Sequence, residues 1–149
     1  MRRLAERLSI RAPSLYKHLP GTGSLESLVV EAGLLETGDA LHHAVDRPGR
    51  RTPLASLVAT YRRYGQEHPD LYRLITAPNF PRTDLLPGLE DWAGEPFYRV
   101  TGQPYVAQAL WAFVHGTMIL ELDERFLGGS DLDRTWAAGV QAFSAVSDR

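Results

Sequence analysis

Cysteine is absent from this chain, which excludes disulfide staples, thiolate metal sites and thiol nucleophiles. No apolar run approaches the roughly 18 residues of a membrane span. The start of the chain lacks the basic, apolar and small-residue order of a signal peptide. A cytoplasmic protein with no membrane partner is therefore expected. Low-complexity segments, internal repeats and alternating strand patterns are also missing. So is catalytic patterning: there is no Gly-x-Ser-x-Gly elbow and no His-Glu-x-x-His, and Gly21-Thr22-Gly23 lacks the later glycine and the strand of a phosphate loop. His42 and His43 are adjacent, so on a helix they point about 100° apart and chelate poorly. Glu121, Asp123 and Glu124 read as the solvated end of a helix, and Glu90-Asp91 as surface. No enzyme activity, cofactor or metal is expected.

What is present is helical, and it is unevenly charged. The 149 residues carry 16 Lys and Arg against 18 Asp and Glu. Arg2, Arg3, Arg7, Arg11 and Lys17 nevertheless face only Glu6 in the first twenty residues, leaving an acidic remainder. A basic head on an acidic body suits a polyanion reader, although a solvated helical hairpin would look similar by charge alone. Leu4, Ala5 and Leu8 make one apolar stripe, Ser9-Ile10 interrupts it, and Leu15 and Leu19 begin a second. Pro13 fits the first turn of the second helix, where its missing N–H costs nothing. Arg11, Ser14, Tyr16, Lys17 and His18 occupy the polar side. Helix, short turn and helix with a basic outer face is the layout of a helix-turn-helix.

Leu4-Ala5, Leu8-Ser9-Ile10 and Leu15-Tyr16-Lys17-His18-Leu19 resemble the helix-turn-helix of TetR-type transcriptional regulators over roughly residues 1–32. The resemblance implies an all-α protein: a DNA-binding head at 1–45, including a connecting helix, and a ligand-binding and dimerisation body at 52–149. It implies that Arg11, Ala12, Pro13 and Ser14 reach base edges and that Tyr16 and Lys17 meet phosphates. There are departures from the family pattern. Ser9 replaces the usual turn glycine. Thr22, also placed at the DNA, stands where the family usually has lysine. The helix that precedes this motif in the family is missing from the chain, which predicts a natural protein that begins upstream of Met1.

Behind the head, the spacing predicts a long helix from Ser24 to about Val45 with Leu25, Leu28, Val29, Ala32, Leu35 and Leu41 on its packed side. Arg47 to Arg51 form a linker. Thr52 is a candidate N-cap before Pro53, opening a helix that carries Leu54, Leu57, Val58, Tyr61 and Tyr64 and stops before His68-Pro69. A short helix is predicted over Asp70 to Ala77. Five prolines punctuate 78–104 and leave room for helices around Leu89–Trp92 and Phe97–Val100. Tyr105 to about Leu127 is apolar on nearly every side, and Leu132, Trp136, Val140 and Phe143 stripe a last helix over 131–147. A helix apolar all round needs cover on both faces. The pair therefore predicts a homodimer packed as a four-helix bundle, with Val106, Leu110, Leu132, Trp136, Val140 and Phe143 at the interface.

Trp111, His115 and Gly116 resemble the Trp-x-x-x-His-Gly segment of WHG-type C-terminal domains in a subset of these regulators, where it belongs to the sensor body. His115 reads either as a hydrogen-bonded core histidine or as an effector contact, and Gly116 implies close packing or space for a ligand. Tyr61, Tyr64, Phe80, Phe97, Trp111, His115 and Met118 are the candidate effector-binding residues. Their composition suits a small, mostly apolar molecule and argues against a highly charged one. The expected function is a ligand-responsive dimeric repressor that binds operator DNA. The alternative is a sensor and dimerisation module without DNA binding.

Overall fold

The computed structural model describes residues 22–78, 82 and 85–147. They form six helices with no strand among them: α1 (Thr22–Asp46), α2 (Pro53–Glu67), α3 (Pro69–Ile75), α4 (Leu89–Thr101), α5 (Pro104–Leu122) and α6 (Leu132–Ser147). The fold is all-α. α1 lies against α4 and α2, and more lightly against α3, while α5 and α6 close the far side of the body. None of the described helices is long and apolar enough to cross a membrane.

The strongest local signals set the boundaries of α2. The Thr52 side chain accepts the Ala55 N–H at 3.2 Å, and Pro53 occupies the first turn. Leu57 is completely buried and Leu54, Val58 and Tyr61 nearly so. They form the main core with Leu41 of α1, Tyr72 of α3, Phe97 of α4, Leu110, Val114 and Met118 of α5, and Trp136 of α6. A second, smaller cluster joins Val30, Tyr64, Ile75 and Leu85.

α1 packs in a different phase from the expected one. Ser27, Val30, Thr37, Leu41 and Ala44 face inward, whereas Leu28, Val29 and Leu35 are exposed. Two glycines explain the choice. A Cβ on Gly33 would lie 2.8 Å from Ile75, and one on Gly38 would lie 2.3 Å from the Trp92 ring. Bulk on α3 and α4 thus enters α1 where α1 has none.

α4 is one helix rather than two short ones, and Pro96 sits inside it. A proline has no N–H for the carbonyl four residues back, which here belongs to Trp92. That carbonyl receives instead the His42 Nε2–H from α1 at 2.9 Å. The donation fixes the His42 tautomer, and Nδ1 is left to face the Arg99 guanidinium at 3.4 Å. The imidazole also stacks on Trp92, with ring centroids 4.9 Å apart. Arg99 in turn pairs with Asp46, so four α1–α4 contacts share one patch.

α5 stops at Leu122, five residues short of the expected end. Glu124 takes a left-handed φ of 53°, and the Arg125 N–H returns to the Leu120 carbonyl at 2.9 Å. This is a Schellman-type end, made without the usual glycine.

Glu121 is not a solvated helix end. Its side chain is only 10% exposed. It accepts from Arg62 Nε and Nη2, from Gln66 and, at 2.6 Å, from the indole N–H of Trp136. Burial pushes its carboxyl up, but the Arg62 and Trp136 hydrogen bonds outweigh that and hold it below the ordinary value. One carboxylate therefore ties α2, α5 and α6 together.

Candidate functional site

The body encloses a cavity of about 470 Å³. α1 contributes Leu34, Thr37 and Leu41, α2 gives Tyr61, and α3 gives Tyr72 and Ile75, with Thr76 just beyond its end. α4 supplies Glu90, Asp91, Ala93, Gly94 and Phe97; α5 supplies Ala107, Gln108, Trp111 and His115. A void of this size lined mainly by apolar side chains is in the range of small-molecule sites.

A line of hydrogen bonds crosses its wall. The Tyr61 and Tyr72 hydroxyls lie 2.8 Å apart, and the Tyr72 hydroxyl is 2.7 Å from His115 Nδ1. Burial pushes the Tyr61 hydroxyl well above its usual value and raises Tyr72 to about 12. Burial lowers the His115 imidazole. At neutral pH all three groups are therefore uncharged. Trp111 stacks on His115 almost in parallel, 9° between planes and 5.5 Å between centroids. Charge is confined to the rim, where Arg82 pairs with Glu90 and Asp91 is exposed. No group of three or more His, Asp or Glu among the described residues is arranged to hold a metal.

Four of the seven candidate effector residues, Tyr61, Phe97, Trp111 and His115, border the cavity. Tyr64 does not; it packs in the second core cluster, with its hydroxyl beside Thr37 and Glu36. Met118 is fully buried, its sulfur against Gly65, where a Cβ would lie only 2.6 Å away. Phe80 lies outside the described residues. Tyr72 was missed by sequence reasoning. It sits on a seven-residue helix too short to show a face. The acceptor hydroxyls of Thr37 and Thr76 were missed for want of any local motif.

Close helix packing does not explain Gly116, since open space surrounds the place where its Cβ would be. Of the expected interface residues, Leu110 and Trp136 are covered by their own chain, at 0% and 4% exposure, and have no surface to offer a partner. Leu132, Val140 and Phe143 are partly buried against the same core, and Val106 is half-buried. The exposed residues of α5 include Tyr105, Gln108, Ala109, Trp111, Ala112 and Leu120; of these Tyr105, Ala109, Ala112 and Leu120 share one face, with Gly116 half-buried between them. Arg11, Ala12, Pro13, Ser14, Tyr16 and Lys17 lie outside the described residues; Thr22 opens α1.

The comparisons with known proteins agree with this architecture. A family model for the tetracyclin repressor-like C-terminal domain matches residues 54–143. The fold is similar to the crystal structure of SCO4313, a protein assigned a regulatory role. The TM-score is 0.76 and the identity 20%, over 95% of this chain and 83% of that one. No curated protein matches the sequence. With the family model spanning more than half of the chain, and with six helices in place of strands, the protein belongs to the tetracycline repressor-like family of transcriptional regulators.

Proposed function

We propose that the protein is a ligand-responsive repressor that acts as a homodimer, reading operator DNA with the 1–45 segment and sensing a small, mostly apolar effector with the 52–149 body. One observation carries this reading. Leu34, Thr37 and Leu41 of α1 form part of the cavity wall, and α1 follows directly on the segment that bears the helix-turn-helix pattern. A molecule seated in the cavity bears on the helix leading to the head. The difference in its affinity for two α1 positions is then a difference in DNA affinity.

The exposed Tyr105, Ala109, Ala112 and Leu120 support the dimer. Spaced four, three and eight residues apart, they share one helix face. The small residues among them leave room for a partner helix to approach.

The test is an operator selected from random duplexes and measured by mobility shift, for the wild type and for a chain with the cavity filled by Ala93→Phe. Wild type should select two half-sites about one DNA turn apart. The filled variant should bind the selected operator at least tenfold more weakly. Selection of no duplex would favour a sensor and dimerisation module. Equal binding by the filled variant would remove the link between cavity and head.

A further inference from the structure

The donors and acceptors of the cavity limit what can occupy it. Thr37 Oγ1 donates its proton to the Gly33 carbonyl at 2.7 Å, and Thr76 Oγ1 donates to the Tyr72 carbonyl at 2.8 Å. Each hydroxyl has one proton, so both oxygens can only accept from a ligand.

The Tyr61–Tyr72–His115 line has two possible directions. If His115 Nδ1 carried the proton, it would donate to Tyr72, Tyr72 would donate to Tyr61, and the Tyr61 proton would be left over. Tyr61 is 5% exposed and its hydroxyl has no other partner, so that leftover donor would be buried and unpaired. Unpaired buried donors are the costlier fault. The line therefore runs from Tyr61 to Tyr72 to Nδ1. The His115 proton then resides on Nε2, a donor with no protein partner among the described residues. Apart from Gln108 and Trp111 on the exposed stretch of the lining, the neutral polar groups of the wall are thus one donor, His115 Nε2–H, and the acceptor oxygens of Thr37, Thr76 and Tyr61.

Fixed charge gives no foothold for an ion. The one cation on the lining, Arg82, is engaged by Glu90, and Asp91 adds negative charge at the rim, which disfavours an anion. A cation would find the wall's acceptors on neutral hydroxyls and would lose its hydration. Trp111, stacked on His115, puts an aromatic ring on the lining.

We propose that the cavity takes a neutral, flat, apolar molecule bearing a hydroxyl group, which receives the His115 Nε2–H and donates to a threonine oxygen. A hydroxyl is the smallest neutral group that both accepts and donates through one atom; a carbonyl would use the imidazole alone. This assignment rests on the ligand-responsive reading above, and it names the chemistry of the ligand at that site.

Four matched probes test it on the full chain by calorimetry: 2-naphthol, naphthalene, 2-naphthoate and protonated 2-naphthylmethylamine. The naphthol should bind at least tenfold more tightly than each of the others. Tyr72→Phe and His115→Phe should each bring the naphthol to within about threefold of naphthalene. Naphthalene should still bind both variants measurably, which shows that the cavity has survived the substitutions. Naphthol binding no tighter than naphthalene overturns the assignment, as does preference for the carboxylate or the ammonium. Failure of all four to bind overturns it as well. Each of these results leaves the regulator reading to be decided separately by the operator experiment with Ala93→Phe.

Discussion

At the scale of single residues, Glu121 carries more of the body than its helix-end position suggests. Glu121→Ala strips acceptors from Arg62, Gln66 and Trp136 together and leaves a mostly covered guanidinium with Asp133 and the Trp136 ring face as its remaining partners. Breaking one side of such a pair costs about 2–4 kcal/mol, to be read as a lower urea midpoint at unchanged slope. His115 sets a pH dependence. Its folded value lies below the ordinary 6.5 because burial disfavours the charged ring. The unfolded chain therefore takes up the proton first as pH falls. The stability linked to this group is complete above about pH 6.5 and declines below it, until the folded state also protonates. Thermal midpoints between pH 8 and pH 5.5 should fall more for wild type than for His115→Gln. His115 was legible as a hydrogen-bonded core histidine, whereas Glu121 was not legible in its role. Glu121 meets Arg62 59 positions away and Trp136 15 positions away, and no local pattern records such meetings.

At the scale of elements, the sequence was most readable where local chemistry decides the outcome. Thr52, Pro53 and the spacing of Leu54, Leu57, Val58 and Tyr61 define α2 within the chain's own grammar. The phase of α1 was unreadable because Leu and Val lie on both its sides, and the deciding residues were glycines whose value depends on Trp92 and Ile75. Gly38→Ala gains helix propensity of up to ~1 kcal/mol but drives a methyl into the Trp92 ring, so it should destabilise by about 1–3 kcal/mol. Gly94→Ala meets nothing within 4 Å and should keep the gain. The two glycines, alike in sequence, should thus shift the unfolding midpoint in opposite directions. Pro96 misled in a similar way, since its missing N–H suggested a break that His42 repairs from another helix. His42→Ala should cost about 1–2 kcal/mol. The loss should shrink in a Pro96→Ala background, where an amide N–H at 96 can serve the Trp92 carbonyl; a double-mutant cycle measures the coupling.

At the scale of the whole molecule, helix content was readable from composition, and the apolar character of α5 is what led to the expectation of a partner. Which of its residues lie exposed was not readable, since an all-apolar helix has no periodicity to mark its faces. If the exposed side of α5 is the two-fold surface, Ala112→Glu should convert a dimer to a monomer in sedimentation at micromolar concentration. Leu110→Glu, by contrast, should unfold the chain, because Leu110 is wholly buried. A wild-type chain that sediments as a monomer would remove the dimer from the proposal.

The Trp92 ring seated on Gly38 has a mechanical consequence. Together with His42 and Asp46 it fastens the C-terminal part of α1 to α4, while Val30 and Gly33 hold the other half against the second cluster and Ile75. Were those lighter contacts to yield, α1 would pivot as a lever with its fulcrum near residue 38. Sixteen residues separate the fulcrum from Thr22, an arm of about 24 Å at a rise of ~1.5 Å per residue. The cavity residues Leu34, Thr37 and Leu41 sit within four positions of the fulcrum, so whatever presses there works on a short arm. A tilt of about 5° displaces the far tip by about 2 Å, while the wall beside the cavity moves by only about 0.5 Å.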